Sequence, residues 1–151
     1  MKVAIVTGAS RGIGRACAIR LAQDGYTVVI NYAHSDAEAQ KVLDTIRENG
    51  GDGMLYRADV SKAEEVRAMM RDVSKAYGQI DVLVNNAGIV KDEYLLMLTP
   101  ETLDKCMELN VKGYLYCAQQ AVLKMFRKKS GVIINMSSVS GILALPGQCV
   151  Y

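Results

Sequence analysis

Eight residues near the N-terminus, Thr7-Gly8-Ala9-Ser10-Arg11-Gly12-Ile13-Gly14, set three glycines among small and hydroxylated side chains directly after the apolar run Val3 to Val6. A helical pattern opens immediately afterwards with Ala16, Cys17, Ile19 and Leu21. Such a turn can bring backbone N–H groups and the positive end of a helix against a pyrophosphate, because glycine lets the chain turn sharply and approach a ligand closely. Gly14 would also let helix and strand pack closely. A tight strand-to-helix turn with no ligand uses the same glycines, so this stretch alone leaves both readings open. Further along, Asn110 lies in a long apolar stretch, where a polar side chain needs a partner. Ser137, Ser138 and Ser140 follow the last apolar run, and hydroxyls there can serve a loop, a cap or a reaction.

The elements that would position these residues follow an alternating pattern. Short apolar runs at Val3 to Val6, Thr27 to Tyr32, Gly53 to Ala58, Ile80 to Asn85 and Val132 to Met136 read as strands buried on both faces, with helical patterns between them. That alternation predicts an α/β fold with a parallel sheet covered by helices. Ser35 with Glu38 and Ser61 with Glu64 fit the capping box, and Thr99-Pro100 puts proline where its missing N–H costs nothing. Val66, Met69, Met70, Val73 and Tyr77 recur at helical spacing, so these methionines read as core. The stretch from Leu103 to Met125 is apolar nearly all round, which predicts a helix buried against the sheet on one side and a second subunit on the other.

Composition bounds the function. The chain has 151 residues, half of them apolar, enough for one core, and it reads as a single domain over 1–151 with no repeats or linkers. A net charge of +2 offers no field for nucleic acid. The four cysteines, Cys17, Cys106, Cys117 and Cys149, show no paired spacing, and with one histidine they make no plausible zinc set; no metal is expected, and the thiols read as buried in a reducing compartment. No stretch approaches a membrane span or a signal-peptide core, so the cytoplasm is the expected location.

The spacing Thr-Gly-x-x-x-Gly-x-Gly resembles the short-chain dehydrogenase/reductase family, and further matches follow in order. Asp59-Val60 stands after the third predicted strand, and Asn85-Asn86-Ala87-Gly88 closes the fourth. The resemblance implies a Rossmann-type doubly wound sheet, here with five strands in the order 3-2-1-4-5 and the family's C-terminal part missing. It implies a dinucleotide held by Gly8, Ser10, Arg11, Gly12, Ile13, Gly14, Asn31, Asp59, Val60, Asn86, Ala87 and Gly88. It assigns Asn110 to holding a water of a proton relay, and it matches Ser138 and Tyr151, thirteen positions apart, to the catalytic serine and tyrosine. The reaction implied is hydride transfer from a reduced nicotinamide to a carbonyl carbon, with Tyr151 protonating the oxygen and Ser138 hydrogen-bonding it.

NAD-specific sites hold the ribose hydroxyls with an acidic residue at the end of the second strand, but here that position reads Asn31-Tyr32-Ala33-His34. Arg11 resembles the basic residue that pairs with a 2'-phosphate in the family, so NADPH is the expected cofactor. Asn31-Tyr32, Leu95-Leu96-Met97 and Asn110-Val111-Lys112-Gly113 are similar to the 3-oxoacyl-acyl-carrier-protein reductase branch. That branch implies a 3-oxoacyl thioester substrate in fatty-acid synthesis, carried on an acidic carrier protein, and a homo-oligomer, tetrameric in the family, formed through the 103–126 helix. The basic run Arg127-Lys128-Lys129 suits either carrier docking or a helix C-terminus. Another carbonyl reductase or alcohol dehydrogenase, or a nucleotide-binding fragment without chemistry, would share most of these features. The family's lysine, four residues after the tyrosine, is absent because the sequence ends at Tyr151; the 151-residue polypeptide alone is therefore expected to be inactive.

Overall fold

Val3, Ala4, Ile5 and Val6 have no exposed surface, and their alternation divides the interior in two. Val3 and Ile5 face one apolar cluster with Met69, Met70, Val73, Cys117 and Ala121; Ala4 and Val6 face another with Ala18, Ala39, Val42 and Ile46. A strand can feed two cores only when helices cover both faces of its sheet. The computed structural model describes residues 1–151 and shows that arrangement.

The elements run β1 (Lys2–Val6), α1 (Gly12–Gln23), β2 (Tyr26–Tyr32), α2 (Asp36–Glu48), β3 (Asp52–Arg57), α3 (Ala63–Tyr77), β4 (Val82–Asn85), α4 (Pro100–Met107), α5 (Tyr114–Lys128) and β5 (Val132–Asn135). Short 3-10 turns lie at Leu95–Met97 and Val139–Gly141. All strand pairs are parallel, in the order β3-β2-β1-β4-β5, with Ile5 in register with Val29 on one side and Leu83 on the other. Helices α1 and α2 cover one face, α3 and α5 the other. The chain winds outward from β1 to β3 and then returns to β4 beside β1. Their C-terminal ends therefore flank a crevice at the point where strand order reverses, the usual ligand position in an open α/β sheet.

Two capping expectations are corrected. Ser35 adopts a left-handed backbone at φ 72° and its side chain caps nothing. Ser61 does not cap α3 either; its N–H and hydroxyl both donate to Asp59 Oδ1, at 3.0 and 2.7 Å, while Glu65 accepts from the Asp59 N–H at 2.7 Å. A one-way link from the Asp59 N–H to Glu65 thus replaces the expected Ser61–Glu64 pair, and that backbone contact, with Lys62, holds the Glu65 carboxyl below its ordinary range. Thr99 does cap α4, accepting from Thr102 N–H at 3.1 Å.

The apolar stretch over 103–126 is not one regular helix. Glu108–Gly113 forms a π-helical turn between α4 and α5. Only one side of it is buried, through Cys106, Cys117, Ala121 and Met125, whereas Leu115, Val122, Leu123 and Phe126 are exposed. Strand β5 is likewise not covered on both faces, with Val132 and Ile134 about half exposed. Of the thiols, Cys106 and Cys117 are buried, Cys17 is half-buried and Cys149 is exposed. Burial raises the Cys117 thiol to about 12, which leaves it protonated and inert. No helix is long and apolar enough to cross a membrane.

Candidate functional site

Thr7 leaves β1 fully buried, and its side chain organises the crevice. Its Oγ1 accepts from the N–H groups of Asn86 and Ala87 at 2.9 and 3.0 Å and donates to Val84 O at 3.3 Å. Asn86 returns the contact: its Nδ2 donates to Thr7 O at 2.9 Å and Gly8 O at 3.2 Å. The ends of β1 and β4 are thereby locked together, and two glycines are required by the lock. Gly8 sits at φ +62°, where an added Cβ would also come within 2.9 Å of Ala87 Cα. At Gly14 a Cβ would lie 2.5 Å from both Asn86 Nδ2 and Gly8 O.

Asn31, at the end of β2, completes the brace. Its Oδ1 accepts from Gly8 N–H at 3.4 Å, and its Nδ2 donates to Ala58 O at 3.0 Å and Tyr56 O at 3.3 Å. Past this frame the N-terminus of α1 is open: no acidic residue stands in its first turn, and the early N–H groups at Gly12, Ile13 and Gly14 have no intrahelical acceptors. Arg11 stands exposed at that end. Orphan donors, positive helix end and a backbone approach that a Cβ would fill together suit an anionic group such as a pyrophosphate.

The crevice opens into a cavity of about 580 Å³ lined by Gly8, Ser10, Arg11, Asn31, the 32–35 segment and the 58–61 segment. Asn86, Ala87 and Gly88 close it on the β4 side. Asp59 and Val60 thus reach the cavity wall, with Asp59 also engaged by Ser61. The acid nearest the end of β2, Asp36, is outside the lining; it accepts from Tyr32 Oη at 3.0 Å and pairs with Arg57 at 3.6 Å.

A second cavity, of about 350 Å³, adjoins the first and shares Asn86, Gly88 and Ile89 with it. Ile13, Asn110, Tyr114, Ser138 and Tyr151 line this one. Ser138 and Tyr151, far apart on the chain from the glycine turn, are therefore brought to one end of the same cleft. Asn110 lies in the π turn and clamps the loop after β4: its Oδ1 accepts from Ile89 N–H and its Nδ2 donates to Ile89 O, both at 2.9 Å. Its side chain has the partner that burial in an apolar helix demands. Ser138 Oγ accepts from Ser140 N–H at 3.2 Å. Tyr114 Oη donates to Met136 O at 3.2 Å; burial, and then proximity to Tyr151, raise its pKa and keep it a neutral donor.

Three contributors go beyond the residues that the motifs suggest. Thr7 is within the glycine stretch but acts as a brace, a role only the adjacency of β1 and β4 reveals. Tyr114 carries no motif signal. The π turn that presents Asn110 is invisible to a helical periodicity of apolar residues.

Comparison with known proteins agrees with this architecture. The model of the family described as short chain dehydrogenase matches residues 2–151. The chain is 46% identical over 150 residues to the 3-oxoacyl-[acyl-carrier-protein] reductase FabG of Staphylococcus aureus, covering 99% of this chain and 61% of that protein. FabG of Staphylococcus epidermidis is 43% identical, with 62% of it covered, and the 3-oxoacyl-[acyl-carrier-protein] reductase of Synechocystis is 43% identical, with 61% covered. The chain thus spans about three fifths of the length of these curated relatives.

Proposed function

The chain belongs to the short chain dehydrogenase family, and from that premise we propose that it forms the dinucleotide-binding and proton-donating part of an NADPH-dependent reductase of 3-oxoacyl thioesters. The observation that carries this reading is the continuity of the two cavities, which runs from the open end of α1 to the Ser138 and Tyr151 hydroxyls. When bound, the dinucleotide supplies the hydride that reduces the carbonyl carbon. Gly12, Ile13 and Gly14 hold its pyrophosphate through their N–H groups. Asp59 and Val60 border its adenine end, and Gly88 lies where the two cavities meet. Tyr151 donates a proton to the carbonyl oxygen while Ser138 hydrogen-bonds the same atom, which limits the negative charge that develops there.

Arg11 at the mouth and the lack of an acid among the lining residues that follow β2, Asn31 to Ser35, favour the 2'-phosphate of NADPH over the free ribose of NADH. The acyl group is carried on an acidic partner in this reading. Arg127 and Lys129 are exposed for it, whereas Lys128 is tied to Asp81 and serves the fold. The exposed face of α5, with Leu115, Val122 and Phe126, suits a second copy of the chain.

A titration against NADPH and NADH tests the reading directly. Arg11→Ala should weaken NADPH by about 1.5 to 3 kcal/mol and leave NADH unchanged; equal loss for both removes the 2'-phosphate contact. The complete polypeptide carrying this sequence should turn over a 3-oxoacyl thioester with NADPH, whereas the 151-residue polypeptide should bind the nucleotide without turnover. Turnover by that shorter polypeptide would contradict the second expectation.

A further inference from the structure

Ser138 is not alone at its end of the cleft. Its Oγ lies 3.2 Å from Ser140 Oγ, and Ser140 Oγ lies 2.8 Å from Gln148 Oε1. The Ser140 N–H also donates to Ser138 Oγ, fixing the spacing of the two serines. Gln148 is held from behind. Its backbone forms a parallel bridge with Glu93, and the neighbouring Cys149 thiol donates to Glu93 O at 3.1 Å. The three side chains thus form a row leading away from the cavity that Ser138 lines.

Each hydroxyl has one proton, so the row has a direction. With Gln148 presenting Oε1, Ser140 donates outward to it, Ser138 donates to Ser140, and the Ser138 proton is turned away from any oxygen in the cavity. Rotating the Gln148 amide presents Nε2 as a donor. Ser140 then accepts from Gln148 and donates to Ser138, and the Ser138 proton is released toward the cavity.

We propose that Gln148 is a positioning residue which, acting through Ser140, sets whether the Ser138 hydroxyl donates to the substrate oxygen or is turned away from it. This rests on the reductase reading given above. An amide suits the role because it offers a donor and an acceptor at one position, exchanged by rotation about a single bond; a carboxylate offers only acceptors.

The test uses the complete polypeptide that carries this sequence. Gln148→Glu locks the row outward while its carboxyl is ionised. At neutral pH kcat should fall about tenfold or more, short of the roughly hundredfold loss of an oxyanion donor itself, with NADPH affinity unchanged. Activity should recover toward acid pH as the new carboxyl gains a proton and can donate. In a Ser140→Ala background, the same change at position 148 should have no further effect, while Ser140→Thr should preserve the wild-type response. An equal loss from Gln148→Glu with and without Ser140 would overturn the proposal, since Gln148 would then act directly or through the fold. Neutron diffraction reads the coupling without turnover. At neutral pH the Gln148→Glu variant should show the Ser138 deuteron directed toward Ser140 Oγ, and a deuteron directed into the cavity would overturn the proposal. Absence of carbonyl reduction by the wild-type polypeptide would instead fail the reductase reading, leaving the neutron result to decide the role of Gln148.

Discussion

The two ends of the cleft are built differently. At the dinucleotide end, Thr7, Asn31 and Asn85 are each about 1% exposed, and the side chains of Thr7, Asn31 and Asn86 bond backbone groups of neighbouring strands. At the other end, Val139 and Ile142 are 67% and 87% exposed, and Leu96, on the loop after β4, is fully so. There the polar contacts include a row of neighbouring side chains, from Ser138 to Ser140 to Gln148. A frame made of strand-to-strand braces holds a fixed shape for a ligand common to many enzymes. An end built on loops with apolar surface can vary with what is reduced. Under the reductase function proposed above, the contrast assigns shape to the N-terminal half and specificity to the 89–97 and 136–151 segments.

The sharpest way to break this comparison is to disturb the braces. Gly14→Val should destabilise the fold by about 3 kcal/mol or more, because the added carbons enter the space of Asn86 Nδ2 and Gly8 O; urea denaturation would show the loss, together with abolished NADPH binding. Thr7→Val keeps the shape but removes the acceptor for two N–H groups, and should cost about 2 to 3 kcal/mol by the same measurement. If NADPH affinity survived Thr7→Val unchanged, the brace would not be what shapes the cleft.

A third test concerns the frame away from the ligand. Asp81 accepts from Val3 N–H at 2.7 Å and pairs with Lys128, joining β1 to the end of α5. Burial pushes its carboxyl up, but Lys128 and the Val3 N–H outweigh it and hold the group below its ordinary value. Because the folded value is depressed, the stabilisation is present above about pH 4 and is lost as pH falls through the folded value. Asp81→Asn should cost about 1 to 3 kcal/mol at neutral pH and flatten the acid limb of the stability profile. An acid limb identical to that of the wild type would refute this assignment. At the opposite end of the scale, Ile142→Ser should change stability by less than about 0.5 kcal/mol, since little surface is buried there. A thermal shift comparable to that of Thr7→Val would erase the distinction between the two ends.

Much of this was readable from residue types and order alone. The five strands and their covering helices followed from apolar runs and glycine punctuation, because burial on both faces leaves little choice of residue, whereas the strand order came from the family resemblance. The glycine stretch marked the crevice for a similar reason: Gly8 and Gly14 stand where no side chain fits. Local signals failed where a competing partner lay a few residues away. Asp59 displaced Ser61 as the anchor at α3, and the left-handed backbone of Ser35 removed its hydroxyl from α2.

What only the tertiary structure decided was partnership. Thr7 and Asn86 are 79 positions apart, so their mutual bonds cannot be read along the chain. Asn110 finds both its partners in the backbone of Ile89 through a π turn that apolar periodicity does not register. Ser140, which by sequence could be only a loop or cap hydroxyl, lies between Ser138 and Gln148. Residue type determines which hydrogen bonds a side chain can make, whereas the fold determines which of them are within 3 Å or so, and hydrogen bonds fall away steeply with distance and angle.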